Sequence, residues 1–365
     1  MEMYTKEESV YIWLDLFDFL SYKKKMALLS LFGSAVELWD NLFKNSKVKE
    51  LLNTQELERL ELSHSDEFLN MQTKGLARLG ITAITTLSKD YPEKLREVSD
   101  PPYVLYCKGD ISLLSKRAIA IVGSRRCTRY GREQAELFAK SLCKHGFVVI
   151  SGMAEGIDTA AHVGALDADG KTIAVLAGGL SEIYPASNLA LSEQIANKGL
   201  LVSEMRPNYR SERFSFPIRN RIIAALSEGV FVPEMGSKSG ARYTLNYAND
   251  YGREMFVLPG PVNNFASAGS NILIKECQAA CVLTPEDVLN RLGVDVVAEE
   301  VKQAKLQLNM EEQLIYNSIK DEQLHYDELI KITQLEPKML NSLLTTMQIS
   351  GLIQKLPGNF YAKGK

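Results

Sequence analysis

The sequence has few of the residues that build metal centres and disulfide frameworks. Its five cysteines are scattered without a CxxC pair, and it has only four histidines. Neither a zinc site nor a disulfide scaffold is expected, and no metal or cofactor is predicted. No long uncharged apolar run occurs, and the acidic first residues, MEMYTKEE, do not read as a signal peptide. These absences predict a cytoplasmic protein without a membrane segment.

A surplus of positive charge is also missing. The formal net charge is −3 at pH 7, so the chain is not a basic protein that coats nucleic acid over its whole surface. Any site for a polyanion must then be a local patch. The 365 residues suffice for two or three domains, and a hydrophobic content of 45% is ordinary for a globular protein.

The middle of the chain alternates short apolar segments with amphipathic ones. This alternation predicts an α/β fold with an extended, Rossmann-like, mostly parallel sheet and helices on both faces. Ligands of such sheets bind at the carboxyl ends of the strands. The predicted strands are 103–106, 118–122, 147–150, 172–177, 200–203, 229–233, 254–258 and 280–283.

The two ends of the chain have a different character. Residues 1–88 predict a helical domain, in which residues 75–81 resemble the close of a helix-hairpin-helix turn. Residues 294–309 are polar and charged and are typical of a linker. Residues 310–365 predict three helices and a hairpin, which together make a winged helix-turn-helix domain. The sheet would then occupy residues 89–293.

The strand at 118–122 ends in a glycine turn that is rich in arginine. Gly123 breaks the strand, and residues 128–145 predict a helix. Such a turn aims backbone N–H groups at an anion, and Gly123 lets a ligand approach the backbone. Ser124 adds a hydroxyl, and Arg125 adds a planar fork suited to a phosphate. We predict a phosphate site here; the alternative is an ordinary turn with solvated charges.

A second basic segment, residues 206–221, carries five arginines and three aromatic residues against one acid, Glu212. Arginines interleaved with Tyr209, Phe214 and Phe216 suit single-stranded nucleic acid, because cations track phosphates and rings stack on bases. The alternative is a helix whose arginines cap carbonyl groups or pair with Glu204 and Glu234.

Asp158 and His162 lie one helical turn apart and are expected to share an ordinary hydrogen bond.

Eight segments in fixed order resemble the DNA-processing protein A family, also called Smf. They are YPEKL with DPPYVLYCKGD, AIVGSRRCTRYG, ISGMAEGIDTAAH, KTIAVLAGGL with YPASN, LVSE, FPIRNRIIAALS, SGARYT and VLPG. The resemblance implies a Rossmann-like domain that binds single-stranded DNA, protects it and brings it to the RecA recombinase in natural transformation. It also implies an N-terminal SAM-like helical domain, a homodimer formed through the Rossmann-like domain, and no required catalysis.

The resemblance also assigns the DNA-binding residues. It implies a phosphate turn at Gly123, Ser124 and Arg125, and the aromatic and basic segment adds Phe216 and Arg221. Three places depart from the family pattern: Ala186 stands where lysine is frequent, Glu155 where a basic residue is frequent, and Glu276-Cys277 where a Gly-Ala pair is usual. The further pocket residues it implies are Ser151, Gly152, Gly178, Gly179, Asn188, Arg219 and Asn220.

A nucleotide-binding Rossmann-like enzyme related to phosphoribohydrolases is the competing interpretation. Those enzymes carry a PGGxGTxxE signature, whereas this chain reads PEMGSKSGARYT in the corresponding region. The dinucleotide signature GxGxxG is also missing after the strand at 118–122. In this interpretation, Glu204 and Glu234 would act as a general acid and base; pairing with the region of Arg219 and Arg221 is the alternative.

Overall fold

The computed structural model describes residues 4–294, 308–319, 323–350 and 352–363. The chain divides into two compact units, Met1–Asp295 and Val296–Lys365. The predicted linker at 294–309 lies almost entirely outside the described residues. Within the described residues, no helix is both long enough and apolar enough to cross a membrane.

The first unit begins with six helices, most of which start at a side-chain cap. Thr5 and Asn53 form capping boxes with Glu8 and Glu56, which satisfy N–H groups that have no partner inside the helix. Trp13 packs edge-on against Trp39 at 5.0 Å in the centre of this helical segment. The helices are α1 (Lys6–Asp15), α2 (Tyr22–Leu31), α3 (Ala35–Asn41), α4 (Val48–Leu51), α5 (Thr54–Glu61) and α6 (Asp66–Arg78).

A nine-stranded sheet forms the rest of this unit. Its strands are β1 (Thr82–Thr85), β2 (Val104–Gly109), β3 (Ala118–Ile121), β4 (Val148–Ser151), β5 (Thr172–Leu176), β6 (Leu200–Ser203), β7 (Gly229–Val232), β8 (Glu254–Val257) and β9 (Ala280–Cys281). They lie in the order β1-β2-β6-β5-β4-β3-β7-β8-β9. The strands from β6 to β9 in this order are parallel to one another. At the β6 edge, β2 pairs antiparallel with β6, and β1 pairs antiparallel with β2. The mostly parallel Rossmann-like sheet is therefore confirmed.

Helices connect most of the strands and cover the sheet. They are α7 (Glu93–Arg96), α8 (Arg129–Lys144), α9 (Ile157–Asp167), α10 (Leu189–Lys198), α11 (Ser215–Leu226), α12 (Ala241–Asp250), α13 (Ala268–Lys275) and α14 (Pro285–Arg291), with short 3-10 turns at Ile111–Ser115 and Ala186–Asn188. β3 and β4 are buried along their whole length, as expected for strands covered on both faces. Phe138 of α8 stacks on Phe231 of β7 at 4.1 Å.

One strand lies where the sequence predicted helix. Thr82–Thr85 pairs with β2 and extends the large sheet, although residues 1–88 were expected to be helical. The hydroxyl oxygen of Tyr4 accepts a hydrogen bond from the backbone N–H of Ala83 at 2.9 Å. Ile12 and Leu76 pack into the same apolar cluster as Tyr106 and Leu176. The helical segment and the sheet therefore share a core.

The second unit has the elements of a winged helix. Three helices, α15 (Met310–Ser318), α16 (Tyr326–Thr333) and α17 (Pro337–Ile349), accompany the strands β10 (Leu324–His325), β11 (Ile353–Leu356) and β12 (Phe360–Lys363). β11 and β12 form the predicted hairpin, and Gly358 at its turn has a φ of 79°. Ile315, Leu340 and Tyr361 are buried in the core of this unit.

Candidate nucleic-acid interface

An open cleft of about 890 Å³ lies at the carboxyl ends of the parallel strands. Its walls are the segments that follow β3, β4 and β7, together with the first turns of α11 and α12. The chain leaves β3 for β4 on one side and reaches β7 on the other, so the cleft lies where the strand order reverses. This is the place where open α/β sheets bind ligands.

The cleft is cationic. Arg125, Arg126, Arg213 and Lys238 are exposed residues of its lining, and Arg219 is a buried one. Asp158 is the only acid among the lining residues in the described part of the chain, and it is buried. A chain with a net charge of −3 thus gathers positive charge at one edge of its sheet. Such a patch attracts a polyanion.

Arg125 and Phe216 form the centre of one wall. The Arg125 guanidinium lies 5.1 Å from the centroid of the Phe216 ring, within cation–π range. Tyr184, 57% exposed, meets the same ring edge-on at 5.8 Å. The structure therefore brings together the predicted cation of the β3 turn and one predicted aromatic of the basic segment, with a second ring beside them.

The β3 turn is shaped by close backbone contacts. A Cβ on Gly123 would lie 2.7 Å from both Ile157 and the carbonyl oxygen of Glu234. Ser124 donates its backbone N–H to that carbonyl at 3.0 Å. Gly156 packs against the carbonyl oxygens of Ser124 and Arg125 with a φ of 82°, so no side chain fits there. These contacts hold the Arg125 side chain at the mouth of the cleft.

The β4 turn is filled by the protein's own carboxylate. Asp158 accepts hydrogen bonds from the backbone N–H groups of Gly152 at 3.2 Å and Ala154 at 3.3 Å. Burial raises the pKa of Asp158, and the nearby Arg219 opposes that shift. The backbone N–H of Gly152 therefore donates to the carboxylate of Asp158 within the protein. This N–H is not available to an external anion, whereas Arg125 and Lys238 are exposed in the cleft.

Arg219 caps the ends of two strands. Its guanidinium donates to the carbonyl oxygen of Val175 at 2.5 Å and to that of Gly152, and its Nε donates to Asn220 Oδ1 at 3.1 Å. Burial lowers the pKa of Arg219 to about 10, against the opposing effect of Asp158. Arg219 is thus buried among the lining residues of the cleft with its Nη1 and Nε donors engaged, whereas Asn220 is half-buried.

Arg221 lies in a different cavity. Its guanidinium contacts Glu204 at 2.5 Å and Asp100 at 3.1 Å, and only 6% of its side chain is exposed. Tyr209 and Phe214 line this second cavity, of about 460 Å³, together with Arg221. The structure therefore separates these three residues from Phe216, although the sequence grouped them.

Four other predicted residues make contacts inside the protein that support the segments around the cleft. Ser151 is fully buried, and its hydroxyl donates to the carbonyl oxygen of Ile121 at 2.6 Å. Gly178 and Gly179 let the 206–211 loop approach, and the N–H of Gly179 donates to the Tyr209 carbonyl at 2.8 Å. Asn188 donates to the carbonyl of Met153 at 2.8 Å.

Two expectations about titratable residues are wrong. His162 bonds Thr172 Oγ1 at 2.7 Å rather than Asp158, which is occupied by the β4 turn. Glu234 accepts from the N–H of Thr128 at 2.9 Å and from its hydroxyl, so it secures the start of α8 instead of pairing with Arg219. The pairing of Glu204 with Arg221 is confirmed. The two carboxylates proposed as acid and base are thus engaged separately, Glu234 buried and Glu204 partly buried with 18% of its side chain exposed.

The sequence analysis missed the lining residues of the cleft that follow β7 and β8. Lys238 lies in the β7–α12 loop, Tyr243 in the first turn of α12 and Phe265 in the β8–α13 loop. Tyr243 is 55% exposed and Phe265 is 92% exposed. Of these three residues, only Tyr243 lies in a segment that the resemblance quoted, SGARYT, and no role was given to it there. Within the described residues, no group of three or more His, Cys, Asp or Glu side chains is placed to hold a metal ion.

Two family models match this chain. The model for DNA recombination-mediator protein A matches residues 82–293, and the model for the DprA winged helix domain matches residues 298–359. The chain belongs to the DNA recombination-mediator protein A family. The first match covers the sheet and every residue of the cleft, and the second includes the described winged-helix elements except β12.

Curated relatives and solved structures agree with this family. The DNA processing protein DprA of Bacillus subtilis is 42% identical over 214 residues, which cover 58% of this chain and 72% of that protein. The structure of DNA processing protein A from Streptococcus pneumoniae has a TM-score of 0.64 at 31% identity, covering 77% of this chain and 97% of that one. The Helicobacter pylori protein, described for its single-stranded DNA binding mode, has a TM-score of 0.54 at 34% identity, covering 58% and 95%.

Proposed function

We propose that this protein binds single-stranded DNA in the cleft as a recombination mediator. The observation that carries the proposal is the pairing of Arg125 with Phe216 at the open edge of a cationic cleft. A guanidinium binds a phosphate through charge-assisted hydrogen bonds, and an aromatic ring beside it stacks on the face of an unpaired base. Base pairs in a duplex hide those faces, so the arrangement favours single strands.

The electrostatic part of the proposal predicts a defined salt dependence. Each phosphate neutralised on a single strand contributes about −0.7 to the slope of log K against log salt concentration. The four exposed cations, Arg125, Arg126, Arg213 and Lys238, therefore predict a slope of about −3 for oligothymidylate.

Charge reversal at Arg125 tests the site. Arg125→Glu removes a phosphate contact and adds repulsion at an exposed residue, so binding falls strongly while the circular dichroism spectrum stays the same. Lys116→Glu is the matched control, because Lys116 is exposed at the opposite edge of the sheet, just before β3. Equal affinity of the Arg125 variant and the unmodified protein in fluorescence anisotropy contradicts the proposal.

We also propose that the protein acts on DNA without cleaving it. This is supported by the positions of Glu204, paired with Arg221, and Glu234, bound to Thr128: neither carboxylate is among the residues that line the cleft. Labelled single strand and duplex incubated with magnesium should stay intact. Cleavage that copurifies with the protein and disappears in Glu204→Gln contradicts a purely binding role.

Membership of the family supports three further proposals. The protein delivers the bound strand to RecA, it acts as a homodimer through the sheet-bearing domain, and residues 1–88, 89–293 and 310–365 are its domains. RecA filament assembly on oligothymidylate, with and without Arg125→Glu, tests delivery. Light scattering on the purified chain tests the dimer; a monomeric mass at all concentrations contradicts it.

A further inference from the structure

The loop between β8 and α13, residues 258–267, carries two highly exposed apolar side chains. Val262 is 96% exposed and Phe265 is 92% exposed. An aromatic ring of this size normally buries most of its surface. Phe265 lines the cationic cleft together with Arg125 and Phe216, whereas Val262 is not among the lining residues.

This loop is anchored by specific hydrogen bonds. Asn271 donates to the Gly260 carbonyl at 2.9 Å and accepts from the Gly260 N–H at 3.1 Å. Gly269 and Ser270 both donate their backbone N–H groups to the Met235 carbonyl, at 2.8 Å and 3.2 Å. These bonds join the base of the loop to the segment after β7, so the position of Phe265 is fixed by its neighbours.

Inside the loop, two successive turns present Phe265 outward. Asn264 donates its N–H to the Pro261 carbonyl at 3.0 Å, and Ser267 donates to the Asn264 carbonyl at 3.1 Å. Gly236 faces the Phe265 carbonyl, and a Cβ there would lie 3.3 Å from it. The ring is thus held out by an ordered backbone, and Tyr243 and Lys238 line the same cleft.

We propose that Phe265 is a base-stacking residue that forms the second wall of the single-strand site. It contacts an unpaired base while the Arg125–Phe216 wall holds the neighbouring phosphate and base. This inference rests on the proposed function, and it adds a ring that stacks independently of the charges. Stacking on an aromatic ring is tolerant of sequence, so Phe265 strengthens binding of any single strand.

Phe265→Ala tests the inference against two strands. On oligothymidylate the variant binds about 5- to 150-fold more weakly, with an unchanged salt slope, because a ring and not a charge is lost. On a strand of the same length made of abasic sites, the variant and the unmodified protein bind equally. Phe265→Trp keeps the affinity for oligothymidylate, and Val262→Ala, the control in the same loop, leaves it unchanged.

Three results would overturn the inference. The first is unchanged affinity of Phe265→Ala for oligothymidylate while Arg125→Glu still weakens it, which leaves the proposed function standing. The second is an equal loss on the abasic strand, which shows that Phe265 only shapes the cleft. The third is a change of oligomeric mass in Phe265→Ala, which assigns the ring to a contact between copies of the chain. Failure of the unmodified protein to bind any strand would instead contradict the proposed function itself.

Discussion

The guanidinium of Arg221 lies 2.5 Å from the carboxylate of Glu204, in a cavity other than the one that Arg125 lines. Arg221 is 5% exposed, so this is a buried ion pair. Removal of one partner leaves the other charge unpaired in a poorly solvated place. The pair therefore matters for folding, whereas the basic segment that contains Arg221 suggested a DNA contact.

Arg221→Gln should therefore lower stability without changing the DNA site. We expect the free energy of unfolding to fall by about 3–5 kcal/mol, the usual result of breaking a buried pair. Urea denaturation measures that fall, and anisotropy at rising salt measures the slope for oligothymidylate, which should not change. Arg125→Gln is the converse control, since it should reduce the slope and leave the urea midpoint in place. A reduced slope in Arg221→Gln would place this residue in the DNA site.

Gly156→Ala should weaken DNA binding although Gly156 is not among the residues of the cleft. An added Cβ collides with the carbonyl oxygens of Ser124 and Arg125, so the turn that carries Arg125 must move. Gly146→Ala is a matched control, because Gly146 has the same φ of 82° and no atom within 4 Å of an added Cβ. Gly146→Ala should lose about 1–2 kcal/mol of stability through the strain of a positive φ. Gly156→Ala should lose more, because its φ of 82° with a ψ of −121° lies outside the left-handed region and its Cβ also meets backbone oxygens. Equal affinities of the two variants for oligothymidylate would contradict this coupling.

His162 should make the protein sensitive to mild acid. Burial lowers the pKa of His162 to about 3, below the value of about 6.5 in the unfolded chain. Between these two pH values His162 is protonated in the unfolded chain and neutral in the folded protein. The stability present above about pH 6.5 is therefore lost as the pH falls toward 3. Between pH 6.5 and 5 this amounts to about 2 kcal/mol.

His162→Asn isolates this effect from that of the carboxylates. Thr172 donates its hydroxyl to the Val149 carbonyl at 2.8 Å, so it accepts from His162 Nδ1, and an asparagine amide reproduces that donor. The variant should lose about 2 kcal/mol less than the unmodified protein between pH 6.5 and 5 in urea denaturation. Parallel curves for the two proteins would show that His162 does not titrate in this way.

A chain of residues 1–294 should bind single strands as tightly as the full chain. The cleft and its supporting contacts all lie in the unit Met1–Asp295. We expect the same affinity and salt slope for oligothymidylate in anisotropy. A large loss of affinity in a folded truncated chain would assign part of the single-strand site to residues 296–365.

The strands were predictable because each is a short apolar run bounded by turn residues. The apolar run at 118–122 predicts β3, and Thr128 caps α8 at the expected place. The strand β1 was not predicted, because residues 1–88 were all assigned to the helical domain. Its sequence, Thr82-Ala-Ile-Thr85, is rich in β-branched residues and could have indicated a strand.

The roles of the arginines were not predictable from spacing. Arg219 and Arg221 are two residues apart on α11, and such residues point to different sides of a helix. Arg219 therefore meets the ends of β4 and β5, whereas Arg221 meets Glu204. The residues that lie against each side of α11 depend on the strand order of the sheet, and the local sequence does not determine that order. The same holds for Phe265, which reaches the cleft only because β8 lies beside β7.

The antiparallel pair at the sheet edge bears on the order of folding. β2 pairs with β6, and Tyr106 faces Ser203 across that ladder, so the pair has no docking site until β6 has formed. Contacts between distant parts of a chain form slowly, because a long loop must close first. We expect hydrogen-exchange pulse labelling to detect protection of β1 and β2 after that of β3 to β6. During synthesis, the helical segment would leave the ribosome before the parallel strands, and with β1 it would dock only after those strands have paired.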